Sequence, residues 1–206
     1  MGLLFDMHVH TRRHSPCSEI DETQLIRQAI KAGLDGLVIT EHSYQWPQEE
    51  LAELLQAAGE PTFLLFSGAE IFSDQGDILV YGISPEAVSQ FPPGDEALHI
   101  IRRVQKLGGV AVAAHPTRAG LSYDVRIRNL PFDAIETESC NLKPHEQRLA
   151  WRLAESLELP GITSSDAHTL ENAGAYAVEV DGPIHSMAHL CNAIRLRAFR
   201  ARGKLK

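Results

Sequence analysis

Gly36-Leu37-Val38-Ile39-Thr40-Glu41-His42 decides how the chain is read. Three consecutive aliphatic residues after a glycine suit a strand buried on both faces, and the run ends in a carboxylate and an imidazole. Upstream, residues 3–9 read as a strand. Residues 22–32 carry Leu25, Ile26, Ala29 and Ile30 on one helical face and stop at Gly33, where a glycine ends a helix without strain. Strand, helix and strand make a β-α-β unit with chemical groups at the C-terminal end of each strand. The first strand carries Phe5-Asp6-Met7-His8-Val9-His10-Thr11. Residues two apart on a strand share a face, so His8 and His10 present their imidazoles side by side while Phe5, Met7 and Val9 face the other way. Such a pair chelates metal. Asp6 shares the face and is placed to accept a ring N–H from one histidine, fixing its tautomer.

The same unit recurs downstream. A helix over 48–58 precedes a buried strand, 62–67, that ends in Gly68-Ala69-Glu70; residues 78–81 form a short strand and 95–107 a helix closed by Gly108-Gly109. A strand over 110–114 delivers His115-Pro116. Residues 117–131 read as loop and short helix carrying Arg118, Arg126 and Arg128. A strand over 132–137 leads to Glu138, Cys140 and Asn141, a helix spans 144–157, and a strand over 161–164 is followed by Ser165-Asp166-Ala167-His168. A final strand, 175–180, and a helix over 184–200 ending in a basic tail, 200–206, complete the chain. Alternating strands and helices with short connections point to a parallel sheet covered by helices. His8, His10, His42, Glu70, His115, Cys140, Asp166 and His168 all fall just after strands, with Cys17 on the first loop. A sheet closed into a barrel gathers them on one rim, whereas an open sheet spreads them along an edge. The expected fold is therefore a single-domain α/β barrel spanning residues 1–206.

Composition narrows the function. The 206 residues are 44% hydrophobic and 22% charged, enough for one domain with a substantial core. A formal net charge of −8 argues against broad binding to nucleic acid or anionic membrane through bulk electrostatics, though not against a local basic pocket. No stretch approaches the roughly 18 uninterrupted apolar residues of a membrane span, and no cleavable signal pattern follows Met1, so a cytoplasmic location is expected. The 3 cysteines, Cys17, Cys140 and Cys191, have no regular spacing and suit a reducing compartment. The 10 histidines are the outlier in an acidic chain. Imidazole, carboxylate and occasional thiolate form the ligand mixture of Zn, Fe or Mn. The candidates exceed what one ion can use, so two or three divalent ions are expected, with Glu70 as the bridging carboxylate.

Asp6-Met7-His8-Val9-His10-Thr11, Ile39-Thr40-Glu41-His42, Gly68-Ala69-Glu70, Ala114-His115-Pro116 and Ser164-Ser165-Asp166-Ala167-His168 occur in an order that resembles the PHP family, the domain shared by bacterial DNA polymerases and histidinol phosphatases. The resemblance covers nearly the whole chain. It implies a distorted (β/α)7 TIM-like barrel and a trinuclear metal site for phosphoester hydrolysis. Carried over by position, His8, His10, Glu70 and Asp166 hold the first ion, Cys17, His42 and His168 the second, and Glu70, His115 and Cys140 the third. Two positions depart from the commonest family pattern: Asp or His often stands where Cys17 does, and His where Cys140 does. A thiolate still binds zinc or iron. Cys17 can also be read as a structural cysteine, and Asn141 or His145 can replace Cys140.

The chemistry expected of such a site is attack on phosphorus by a metal-activated hydroxide. Arg118 adds a bidentate phosphate contact or is a solvated loop charge; His168 or Asp166 carries the proton. Arg12 and Arg13 stand near an anionic substrate or are solvated. His99, His185 and His189 read as helix or surface residues, and His14, on the first loop, touches substrate or, as the favoured reading, is solvent-exposed. Rival readings are an amidohydrolase-like barrel, which also opens on H-x-H, and a metal-binding barrel without turnover. The favoured substrate is a small phosphomonoester or nucleotide, with the end of a short nucleic acid as the alternative. Oligomeric state is left open, the C-terminal helix with Leu190, Ile194 and Phe199 packing by default on its own barrel.

Overall fold

The computed structural model describes residues 2–121 and 123–205. Met1, Ser122 within the 117–131 segment, and Lys206 at the end of the basic tail lie outside the described residues. The elements are β1 (Leu3–Val9), α1 (Glu22–Lys31), β2 (Gly36–His42), α2 (Gln48–Ala58), β3 (Leu64–Phe72), β4 (Asp77–Tyr81), α3 (Pro85–Val88), α4 (Ala97–Lys106), β5 (Val110–Ala113), β6 (Ala134–Glu138), α5 (Pro144–Ser156), β7 (Gly161–Thr163), β8 (Tyr176–Val180), α6 (Met187–Arg195) and β9 (Phe199–Lys204). Single 3-10 turns occupy Val125–Asn129 and Leu170–Asn172. Asp21 starts α1 by accepting from the backbone N–H of Thr23 and Gln24, a cap worth about 1 kcal/mol.

One nine-stranded sheet runs β7-β6-β5-β4-β3-β2-β1-β8-β9. Its end strands, β7 and β9, lie against each other without a ladder, so the sheet wraps into a nearly closed, distorted barrel. The expected α/β barrel is borne out.

The all-parallel expectation is corrected in two places. β4 is antiparallel to both β3 and β5, because residues 73–76 are too short a link for a crossover and fold back as a hairpin. β8 is antiparallel to β1 and to β9. The helix expected over 184–200 is also shorter. α6 ends at Arg195, Arg197 takes a left-handed backbone with φ of 54°, and Phe199–Lys204 then alternates half-buried and exposed side chains as a strand on β8.

Three apolar clusters follow from the alternation along the strands. Phe5, Met7, Val38, Leu79, Tyr81, Val112, Ala134, Ile162 and Val178 fill the barrel interior. α1 and α2 cover one outer flank through Leu25, Ile26, Leu51 and Leu54, and α4 and α5 cover another through Ile100, Ile101, Val104 and Ala154. α6 behaves differently. Its Leu190, Cys191, Ala193 and Ile194 join the interior cluster, so this helix lies across the barrel end opposite the histidines. Each large aliphatic side chain buried there contributes about 1.5–3 kcal/mol. Among the described residues, no helix is long and apolar enough to cross a membrane.

Candidate metal centre

β1 delivers His8 into the barrel mouth and His10 immediately beyond it, both fully buried. Asp6 does not meet either ring. It accepts backbone N–H bonds from Ser165 at 2.8 Å, Gly174 at 3.2 Å and His8 at 3.4 Å, tying β1 to the loop after β7. Burial pushes its carboxyl up to about 6 against those hydrogen bonds.

The ring of His8 is held instead by Glu136, whose Oε1 lies 2.9 Å from Nδ1. His10 Nδ1 faces Ser15 Oγ at 3.3 Å, and Ser15 donates its own proton to Glu41. Each Nδ1 therefore carries the hydrogen, and each Nε2 turns a lone pair towards the site. The two Nε2 atoms are 3.0 Å apart. Asp166 Oδ1 lies 3.4 and 3.5 Å from them, and the Glu70 oxygens 3.6 and 3.3 Å. Lone pairs converging at this distance in a buried setting repel one another unless a cation lies among them. This donor set fits a divalent transition metal. Without metal, protons take the cation's part: burial opposes a charge on His8, yet Asp166, Glu136 and Glu70 lift it well above the ordinary imidazole range.

Two further groups adjoin the first. Glu70, Asp77 and His115 converge, with His115 Nε2 at 3.0 Å from Glu70 Oε1 and 3.8 Å from Asp77 Oδ2. Burial raises Asp77 to about 6, with help from the charge on Glu70. His10, His42 and His168 also converge, their rings 4.5 and 4.7 Å apart between centroids. His42 Nδ1 lies 3.0 Å from Glu70 Oε2. Glu70 thus reaches His8, His10, His42 and His115. Burial disfavours its charge, but those histidines hold its carboxyl well below the usual range.

The backbone is strained where two of these side chains are presented. His115 has φ of 27° and Asp166 φ of 49°, both in the region non-glycine residues avoid. Asn141 steadies Asp166 by donating Nδ2 to its backbone oxygen at 2.7 Å and to Oδ2 at 2.8 Å. Arg118 Nη1 approaches the same carboxylate at 3.8 Å and stays partly exposed.

The other expected residues are distributed as follows. Cys17 lies on the exposed rim with Sγ 3.3 Å from His42 Nε2. Cys140 is not brought into the group with Glu70 and His115, where Asp77 stands. Its Sγ points to the Asn172 carbonyl at 3.9 Å, and burial pushes the thiol up to about 11. Asn141 is engaged with Asp166, and His145 is exposed on α5. Arg12 pairs with Asp21 at 2.6 Å and Arg13 with Glu50 at 3.1 Å, both at the surface. His14 is half-buried rather than exposed, stacked on Tyr44 at 3.8 Å. His99 on α4 pairs with Asp95, which precedes that helix, His189 is on α6, and His185 precedes α6. Asp77 and Glu136 were missed by sequence reasoning. Neither carries a local sequence signal: Glu136 stands inside β6, and its partners come from far along the chain.

A helix-covered barrel that gathers imidazoles and carboxylates on one rim defines a metal-binding α/β barrel. Residues 144–199 match the PHP-associated family. No curated protein matches. Among solved structures, a two-domain Bacteroides vulgatus protein with an assigned PHP-like metal-dependent phosphoesterase matches with TM-score 0.73 at 18% identity, over 99% of this chain and 65% of that one. A Bifidobacterium adolescentis protein assigned as a metal-dependent phosphoesterase matches with TM-score 0.66 at 18% identity, over 80% and 87%. The lesion-specific endonuclease PfuEndoQ of Pyrococcus furiosus matches with TM-score 0.67 at 16% identity, over 98% and 58%. In fold the chain is similar to these proteins, and residues 144–199 are similar to the PHP-associated family.

Proposed function

We propose that the chain is a metal-dependent phosphoesterase acting on a small phosphomonoester or a nucleotide in the cytoplasm. The observation that carries this reading is the convergence of His8, His10, Glu70 and Asp166 on one buried point, with Glu70 also touching His42 and His115. His8, His10, Glu70 and Asp166 would hold one ion; His42 and His168, with His10 or Cys17, a second; and Glu70, His115 and Asp77 a third. Bound Zn, Mn or Fe would supply a hydroxide at neutral pH and withdraw charge from the phosphoryl oxygens. The chain's own groups do the rest. Arg118, within 3.8 Å of Asp166 and partly exposed, can turn its guanidinium to an incoming phosphate. Asn141 keeps Asp166 in its strained conformation. His168 is half-buried at the mouth, and its Nδ1 donates to the Asp166 backbone oxygen at 3.0 Å, which leaves Nε2 for the second ion.

The lesion-specific endonuclease among the similar folds supports a nucleic acid as the second substrate reading. The experiment is elemental analysis of protein purified without chelator, paired with turnover of p-nitrophenyl phosphate and bis-p-nitrophenyl phosphate with and without Mn²⁺. Two to three ions per chain with metal-dependent turnover support the proposal, and the preferred ester separates monoester from diester substrates. One ion or none, with no turnover under any metal, refutes it.

A further inference from the structure

Glu136 is fully buried, and nothing in the metal-ligand assignment uses it. Its two oxygens receive three donors. Oε1 takes the ring N–H of His8 at 2.9 Å and the hydroxyl of Ser164, while Oε2 takes the backbone N–H of His115 at 2.7 Å. These contacts reach two different clusters. The ring contact sets which nitrogen of His8 faces the site, and the backbone contact holds His115 at the strained φ of 27° from which its side chain meets Glu70 and Asp77. Ser164 adds β7, so one carboxylate at the centre of β6 links β1, β5 and β7 beneath the ligands.

We infer that Glu136 is a positioning residue that presets His8 and His115 together, so that the His8 cluster and the His115 cluster gain or lose metal affinity through it as a pair. This rests on the metal-centre reading above. A glutamine in its place offers one acceptor oxygen where the carboxylate offers two, and its amide N–H₂ would confront either the His8 ring N–H or the His115 backbone N–H. One of the two contacts is therefore lost whichever way the amide turns. Asp6 is the natural control. It is equally buried and central, and it receives backbone N–H groups and the Ser165 side chain but touches no ligand ring.

The test uses the full chain loaded with Zn²⁺. Competition with a chromophoric chelator measures metal retention, and histidine ¹H–¹⁵N correlation spectra, with His8 assigned by its loss in His8→Gln, report the tautomer. Wild-type protein is expected to show His8 with the proton on Nδ1. Glu136→Gln is expected to release metal about 10–100-fold more readily in every phase of the competition that involves His8 or His115, with the His8 Nδ1–H signal shifted or lost. Asp6→Asn is expected to lower thermal stability while leaving that signal in place. A folded Glu136→Gln protein with wild-type retention and an unchanged His8 signal overturns the inference and leaves the metal centre standing. Should the variant not fold, the wild-type spectrum still decides, since His8 protonated on Nε2 in the loaded protein is incompatible with the inference. Wild-type protein that retains no Zn²⁺ overturns both readings.

Discussion

Removing metal should reverse the sign of the protein's pH dependence. In the metal-free chain, burial works to lower His115, but its hydrogen bond to Glu70 raises it from 6.5 to about 9. The folded state therefore binds a proton that the unfolded state gives up near 6.5. Stability from this contact is fully present below 6.5 and is lost as pH rises through about 9. At 1.36 kcal/mol per pH unit the contact is worth up to about 3 kcal/mol. Burial opposes the charge on Glu70, but His8 first, and then His10, His115 and His42, hold its carboxyl well below the usual range, so its contribution is lost only in acid, outside this window. His8 and His10 are raised as well, so they act in the same direction. Asp6 and Asp77, pushed up to about 6, titrate mostly below this window. Metal binding needs these imidazoles deprotonated, so loaded protein should gain stability over the range in which stripped protein loses it. Urea midpoints at pH 6.5 and 9, with EDTA or with excess Zn²⁺, make the comparison. EDTA-treated protein that is as stable at pH 9 as at 6.5 would refute the reasoning.

Four simpler outcomes can be checked alongside. Leu190→Ala, which opens a hole where α6 meets the barrel interior, should cost about 2–5 kcal/mol in chemical denaturation. Asp77→Asn should weaken metal retention while Cys140→Ser leaves the metal count unchanged; the opposite ranking would return the thiolate to the third group. Arg118→Ala should raise KM for a phosphate ester with metal content intact, and no change in either kinetic constant would make it a solvated loop charge. Asp21→Ala, removing the cap of α1, should lower stability by about 1 kcal/mol without altering metal content.

Sequence periodicity served well where structure is local. The aliphatic run 37–39, the H-x-H pair on β1 and the placement of His42, Glu70, His115, Asp166 and His168 at or near the C-terminal ends of strands were legible, because one short segment determines each, but the bulge between Asp6 and Val9, which sends Met7 inward and Val9 outward, was not. Strand direction was not. The four-residue turn 73–76 that reverses the chain before β4 looks like any short link until its length is weighed against a crossover, and the reversal puts Asp77 on the ligand rim from the start of a strand rather than its end. Phe199-Arg200-Ala201-Arg202-Gly203-Lys204 alternates with a period of two, but its charge made it read as a tail. Glu136 was passed over because its role depends on three partners far apart in the chain, His8, His115 and Ser164. A one-dimensional pattern carries no trace of such a meeting.

α6 has a consequence for traffic. Among the described residues it covers the lower end of the barrel with Leu190, Cys191, Ala193 and Ile194, while Cys17 and His42 are exposed at the opposite rim. A molecule that reaches the histidines from that rim would leave by the way it came. Any product that still carries an anionic group would leave past the donors that admitted it, and would compete there with the next substrate.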